Sequence, residues 1–325
     1  MSKNVSLKAI ASALGVSINT VSHALRDMDD ISDAMKSKVR KTAIEMGYMP
    51  NHVAQMMKTD ERAVVGVYVE GFSNLYFNTL NEELRKLFFE REDYSLVFLC
   101  WPQFNVEVIK QCVLQRVDLL ICFAEIDEKT ADFARLNNIK IVCVGSFTNP
   151  ENRYDHVCVD DEGGCKLVAR YLFNPYYNGE YVYVGTFHEF HEMRSGYFSQ
   201  ELVSLQKDAV IINYGLEAKD ISEICRRIDN GCRKIFCFND EYAYRLLEEL
   251  DKHYTDVRRL YPDLDIVGFD GLGRYVHGLR RIPTVKIDYE QFAKAIYGVV
   301  EERLNNPKAP VKKVVLPVTL YRGIG

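Results

Sequence analysis

The chain has 325 residues, 47% of them hydrophobic, and a formal charge of −5 at pH 7. That is enough apolar material for one large core, or two moderate ones with a small appended module, and it excludes a disordered or fibrous protein. The charge is unevenly placed: residues 1–58 hold 8 Lys/Arg against 5 Asp/Glu, a balance of +3 that leaves −8 for the remainder, so a basic end can meet phosphate while an acidic body is repelled by it.

Ser6 is placed to cap a helix whose apolar residues Leu7, Ile10, Ala11 and Leu14 share one face, and Gly15 ends it. After the turn Gly15-Val16-Ser17, Ser17 caps a second helix in which Val21, Ala24 and Leu25 face inward while Ile18, Asn19, Ser22 and His23 point out. A third amphipathic helix starts at Ser32 or Asp33, buries Val39, Ala43 and Ile44, and closes at Gly47 with Lys36, Lys38, Arg40 and Lys41 displayed along it. Two short helices across a tight glycine turn are the signature of a helix-turn-helix, although a three-helix protein-interaction module shares the pattern. The second helix is short and begins with small polar residues, so it can enter a major groove about 12 Å wide, where Asn19 can pair with adenine.

From residue 63 short apolar runs alternate with amphipathic stretches, the pattern of strand-helix units and parallel sheets. Eight strands are expected, at 64–69, 95–99, 118–123, 139–144, 181–186, 209–212, 234–238 and 266–269. The turn-rich stretch 147–156 divides them into two doubly wound halves, and ligands of open parallel sheets bind at the carboxyl ends of strands, here in the cleft between the halves.

The nine cysteines include no Cys-x-x-Cys pair, and they read as reduced thiols of a cytoplasmic protein. No run of about 18 apolar residues marks a membrane span, and no leader pattern opens the chain. His188-Glu189-Phe190-His191-Glu192 groups candidate His and Glu ligands but lacks the spacing of a zinc helix, and no Gly-x-Gly-x-x-Gly, phosphate-binding loop or Gly-x-Ser-x-Gly is present. No metal, no cofactor and no enzymatic activity is therefore expected.

The elements Leu7-Lys8-Ala9-Ile10-Ala11, Gly15-Val16-Ser17, Thr20-Val21-Ser22 and Gly47-Tyr48-Met49-Pro50-Asn51 resemble, in order and spacing, the DNA-binding headpiece of the LacI/GalR family of bacterial regulators. The resemblance implies that Ser17, Ile18, Asn19, Thr20, Ser22 and His23 meet operator DNA. Ile18, Asn19 and His23 would set base preference, His23 standing where many relatives carry Arg. Asn51 would cap a hinge helix over His52–Met57, with Met57 where a wedging Leu is usual in the minor groove. Such a helix is too short to be stable alone, and the family pairs two of them.

In the body, Val159-Asp160-Asp161-Glu162-Gly163-Gly164, Phe236-Cys237-Phe238-Asn239-Asp240, Val267-Gly268-Phe269-Asp270 and Pro283-Thr284-Val285-Lys286-Ile287-Asp288-Tyr289 resemble the family's core, which is like a periplasmic sugar-binding protein. Arg194-Ser195-Gly196-Tyr197-Phe198 matches its Arg-x-x-Gly-Phe with Tyr197 in place of glycine, which implies a remodelled helix start there. The implied layout is an all-α headpiece (1–50), a hinge (51–62) and an α/β core (63–325) of two parallel-sheet lobes, the first about 63–157 with 289–318, the second about 158–285 with 319–325.

A polyhydroxylated effector needs bidentate donors, carboxylate acceptors and aromatic faces. The resemblance puts Arg194, Asn239 and Asp270 in contact with it, with Tyr76, Phe123, Tyr214 and Tyr289 as further candidates; Phe72 and Trp101 are also available for stacking. The expected protein is a homodimeric repressor whose operator affinity depends on a small molecule, a sugar or a sugar derivative. An effector that releases DNA and one that promotes binding are both compatible, and so are a protein partner in place of the metabolite or a plain binding protein on the same fold.

Overall fold

The computed structural model describes residues 7–25, 28–46, 62–71, 73–90, 93–145, 153–185, 189–205, 211–272 and 282–323. The chain forms two compact units, residues 1–62 and 63–325.

The small unit is built from α1 (Leu7–Leu14), α2 (Ile18–Leu25) and α3 (Asp33–Glu45). Ile10, Ala11, Val21, Ala24, Val39 and Ala43 form its core, with Leu14, Leu25, Ile31 and Met35 packed round them. Gly15 turns the chain at φ +67°, a conformation that costs other residues steric strain. The Val16 amide donates to the Ala11 carbonyl at 3.1 Å, closing α1. Lys36, expected on the surface, is buried, its ammonium 3.9 Å from Asp33; its methylene stem covers the small core.

The large unit holds two six-stranded sheets. Sheet one runs β11-β5-β4-β3-β1-β2, from β1 (Ala63–Val69), β2 (Tyr94–Cys100), β3 (Leu119–Cys122), β4 (Lys140–Val144), β5 (Asp155–Val159) and β11 (Lys313–Leu316). Sheet two runs β12-β10-β9-β8-β6-β7, from β6 (Tyr181–Val184), β7 (Ile211–Tyr214), β8 (Lys234–Cys237), β9 (Asp265–Asp270), β10 (Thr284–Lys286) and β12 (Thr319–Tyr321). All pairings are parallel except β10 with β12. The connecting helices are α4 (Leu75–Phe89), α5 (Val106–Leu114), α6 (Glu128–Leu136), α7 (Asp161–Leu172), α8 (Glu189–Leu205), α9 (Ala218–Asp229), α10 (Asp240–Tyr254), α11 (Val257–Leu260) and α12 (Tyr289–Asn305).

The chain passes between the sheets three times, after β5, after β10 and between β11 and β12. Many of the strand-to-helix turns are set by a short polar cap. Asn74, Asp127, Asp160, Asn239 and Asp288 each accept a hydrogen bond from an amide of the first helical turn that would otherwise go unpaired.

The sequence pattern points to eight strands; twelve are present among the described residues. The missing ones hide for physical reasons. β5 opens with Asp155 and His156, polar but buried, because Arg303 pairs with the carboxylate and the Gly145 carbonyl lies 2.5 Å from the imidazole Nε2. β10, β11 and β12 are only three or four residues long, and β11 alternates exposed and half-buried residues at a sheet edge. α8 runs unbroken from Glu189 through residues 194–198, the segment where Tyr197 replaces the expected glycine.

Candidate DNA-reading helix and effector cleft

In the small unit Ser17 Oγ accepts from the Thr20 amide at 3.0 Å and lies 2.8 Å from Thr20 Oγ1, so both hydroxyls are used to start α2. Val21 and Ala24 are buried beneath the helix, which leaves Ile18 46% exposed, Asn19 exposed, and Ser22 and His23 half-buried on the other side. His23 Nδ1 lies 2.6 Å from Asp30 Oδ2. Asn51 and Met57 lie outside the described residues.

In the large unit the doubly wound order reverses between β1 and β3 and between β6 and β8, and sites on open parallel sheets form beside such reversals. Arg194 is the electrostatic centre of this region. Its Nε donates to Asp161 Oδ1 at 2.7 Å, its Nη1 donates to the Phe238 carbonyl at 2.6 Å, and the same nitrogen lies 3.7 Å from Asp270 Oδ1. The guanidinium lies 3.7 Å from the centroid of Phe269 and 4.7 Å from that of Phe238, a packing that favours a cation. Gly164 permits this arrangement, because a Cβ there would stand 2.7 Å from the Phe269 ring.

Arg194 and both carboxylates are at least nine-tenths buried. Burial works against the charge on Arg194, but Asp161 and Asp270 together push its pKa up. Burial pushes Asp270 well above the usual carboxylate range, with Arg194 pulling the other way. Asp270 has φ +101°, a left-handed conformation that costs a non-glycine residue energy and points to a functional constraint.

Two aromatic pairs lie on the helices and strands around sheet one. Tyr76 lies 5.9 Å, ring to ring, from Tyr289, and Phe77 lies 5.4 Å from Phe123. The Tyr289 hydroxyl donates to the Asp270 carbonyl at 3.1 Å. Burial raises the Tyr76 pKa, and the neighbouring Asp270 charge raises it further. Asn239 Oδ1 accepts from the Tyr242 amide at 2.9 Å, so the acceptor half of its amide is committed to the α10 cap while its NH2 keeps a donor role.

The structure thus gathers Arg194 and Asp270 with Tyr289 and Tyr76, and puts Asn239 next to the Phe238 carbonyl that Arg194 holds. Tyr214 stands apart. Its hydroxyl accepts from Arg227 Nε at 2.6 Å and donates to Glu223 at 3.3 Å, and its ring packs on the outer cluster containing Ile224 and Leu246. Tyr214, expected as an effector contact, is thus held by Arg227 and Glu223 and not by the Arg194 set. Asp161 was missed as a site residue, although its motif was legible, because only the fold brings it to Arg194 from 33 residues away.

Asp240 extends the set. Its Oδ1 accepts from Thr284 Oγ1 and its Oδ2 from the Leu272 amide, both at 2.6 Å. Burial pushes its pKa up to about 7 despite those bonds. The folded carboxyl therefore keeps a proton that the unfolded one releases near pH 4, at about its reference value. Its stabilising contribution is full below about pH 4 and is lost as pH rises through 7. Asp240→Asn should make stability fall less steeply across that window, because an Asn can accept from Leu272 while Thr284 turns its hydroxyl to accept from the amide. Urea midpoints from pH 4 to 8 check this, and an unchanged slope would assign the titration elsewhere.

Comparison with known proteins agrees with this division of labour. The family model described as "Bacterial regulatory proteins, lacI family" matches residues 6–51. Over 312 residues the chain is 21% identical to the HTH-type transcriptional repressor PurR of Vibrio parahaemolyticus serotype O3:K6 (strain RIMD 2210633), covering 92% of each. Its fold is similar to the lac repressor dimer bound to operator and the anti-inducer ONPF, with TM-score 0.77 and 18% identity over 99% of this chain and 98% of that one. It is also similar to the transcriptional regulator CelR in complex with cellobiose, with TM-score 0.65 and 16% identity over 98% and 99%. The headpiece, residues 6–51, thus matches the lacI family of bacterial regulatory proteins, and the fold of the chain is similar to that of the lac repressor.

Proposed function

We propose that the chain is a cytoplasmic transcriptional repressor that binds operator DNA as a homodimer and releases or tightens that grip when a sugar-like molecule enters the core. Residues 1–50 act as the headpiece, 51–62 as the hinge and 63–325 as the sensing core. The observation that carries the effector reading is the buried Asp161–Arg194–Asp270 set beside the ring wall of Tyr76 and Tyr289.

Such a set offers charged acceptors and an aromatic face to a ring with many hydroxyls. The CelR–cellobiose complex, on a similar fold, supports the choice of a carbohydrate. Within the headpiece, exposed Ile18 and Asn19 above buried Val21 and Ala24 support base reading by α2. Ile18 suits a thymine methyl and Asn19 suits adenine. A dimer is needed because one small headpiece buries too little surface, and the second binds almost intramolecularly. Effector binding then changes operator affinity through a coupling free energy of roughly 1–3 kcal/mol.

Selection of bound duplexes from a random library with the purified chain should return a near-palindrome. Asn19→Ala should relax one adenine position per half-site by roughly tenfold, the value of one good base contact. A motif unchanged by that substitution would mean that α2 does not read bases. Sugars can be screened on the same protein through Trp101, the only tryptophan, which is 38% exposed just after β2.

A further inference from the structure

His23 lies one helical turn beyond Asn19 on α2, with its side chain 34% exposed. Residues 28–31 lie back against it. The Met28 amide donates to the His23 carbonyl at 3.1 Å, the Ile31 amide donates to the Met28 carbonyl at 3.3 Å, and Ile31 packs on the headpiece core. This anchoring sets Asp30 Oδ2 2.6 Å from His23 Nδ1.

A carboxylate oxygen only accepts, so the hydrogen of this bond resides on Nδ1. In the neutral form of the ring this tautomer leaves a bare lone pair on Nε2, the other nitrogen. In the major groove adenine offers the N6 amine and cytosine the N4 amine as donors, whereas guanine offers only the acceptors N7 and O6. An Nε2 lone pair attracts the first two and repels the third.

We propose that Asp30 sets the base preference at the operator position met by His23, holding the imidazole as an acceptor so that it takes a hydrogen bond from the amine of adenine or cytosine and rejects guanine. This rests on the reading that α2 lies in the major groove. Asp30 itself touches no base in this scheme and acts as a positioning residue through His23.

The test combines duplex selection with 15N NMR of the histidine rings, both on the full chain. In the unsubstituted protein one position per half-site, identified as the one that His23→Ala flattens, should carry adenine or cytosine about fivefold over guanine, the order expected for a single base contact. The ring spectrum should show Nε2 without a proton. Asp30→Ala should let the ring take the Nε2–H form and turn that same position toward guanine, the rest of the motif staying as it was. Losing a negative charge beside phosphate raises affinity for all duplexes alike, so the ratio between bases is the readout.

Guanine at the His23-dependent position of the unsubstituted protein, or a protonated Nε2 in its spectrum, would overturn the proposal even if Asp30→Ala failed to fold. So would an Asp30→Ala motif identical at that position. If Ile18, Asn19 and His23 substitutions all leave the motif unchanged while Nε2 is bare, the groove placement of α2 fails, not the tautomer.

Discussion

Arg194→Met should cost the core about 3–5 kcal/mol, the range for leaving a buried charge without its partner, and should abolish the response to effector. The substitution strips Asp161 and Asp270 of their cation while both stay at least nine-tenths buried. It also removes the donor that holds the Phe238 carbonyl next to Asn239. Arg194→Lys should rescue little. Nε and Nη1 serve different partners at 2.7 and 2.6 Å, and a single ammonium cannot reproduce a planar fork.

Two measurements separate the consequences. Urea unfolding reads the stability loss, and ligand-dependent Trp101 fluorescence reads the site. The triple change Arg194→Met, Asp161→Asn and Asp270→Asn should recover most of the stability, since no unpaired charge remains, yet stay silent to ligand. Recovery of the ligand response in that variant would show that the charged set serves the fold alone.

Arg303→Ala should be of similar size, again about 3–5 kcal/mol for a broken buried pair, but without touching the cleft. Arg303 Nε and Nη2 donate to the two oxygens of Asp155 at 2.6 and 2.9 Å, across 148 residues of sequence. The remaining hydrogens go to the carbonyls of Pro307, Ala309 and Pro310 at 2.7–3.1 Å. Asp155 also accepts from the Lys312 amide at 2.9 Å, which starts the pairing of β11 with β5. Without the arginine Asp155 is left buried with one amide for company, and the 307–312 loop loses the side chain that shapes it. Faster amide exchange at Val314 and Val315 and new protease cuts in that loop are the expected signs. Exchange unchanged there would mean that β11 is held by its own ladder.

Much of this molecule is legible in its sequence. The headpiece is legible because its core obeys one-face periodicity over local stretches, with Gly15 and Ser17 as punctuation. The inner strands are legible because β1, β3, β6 and β8 are short apolar runs bounded by caps. What escapes depends on long-range neutralisation. Asp155 looks like a loop residue until Arg303 is seen beside it, and Lys36 looks exposed until the packing of α3 buries its stem. In the candidate site, Arg194 and Asp270 stand out by residue type and motif. Asp161 and Asp240 become meaningful only through contacts that no local pattern encodes, and the hydroxyl of Tyr214, an aromatic at a strand end, is taken by Arg227.

The lacing of the two sheets by β11 and β12 also orders events during synthesis. Among the described residues, the fully buried core of the small unit lies between Ile10 and Ala43, so its contacts are local in sequence. Sheet one waits for Lys313–Leu316 and sheet two for Thr319–Tyr321 before either edge is closed. A nascent chain thus completes the contacts of its small unit long before the edges of the two sheets close. The arrangement makes β11 and β12 a checkpoint for the core: without them a folded small unit would be joined to two sheets with open edges.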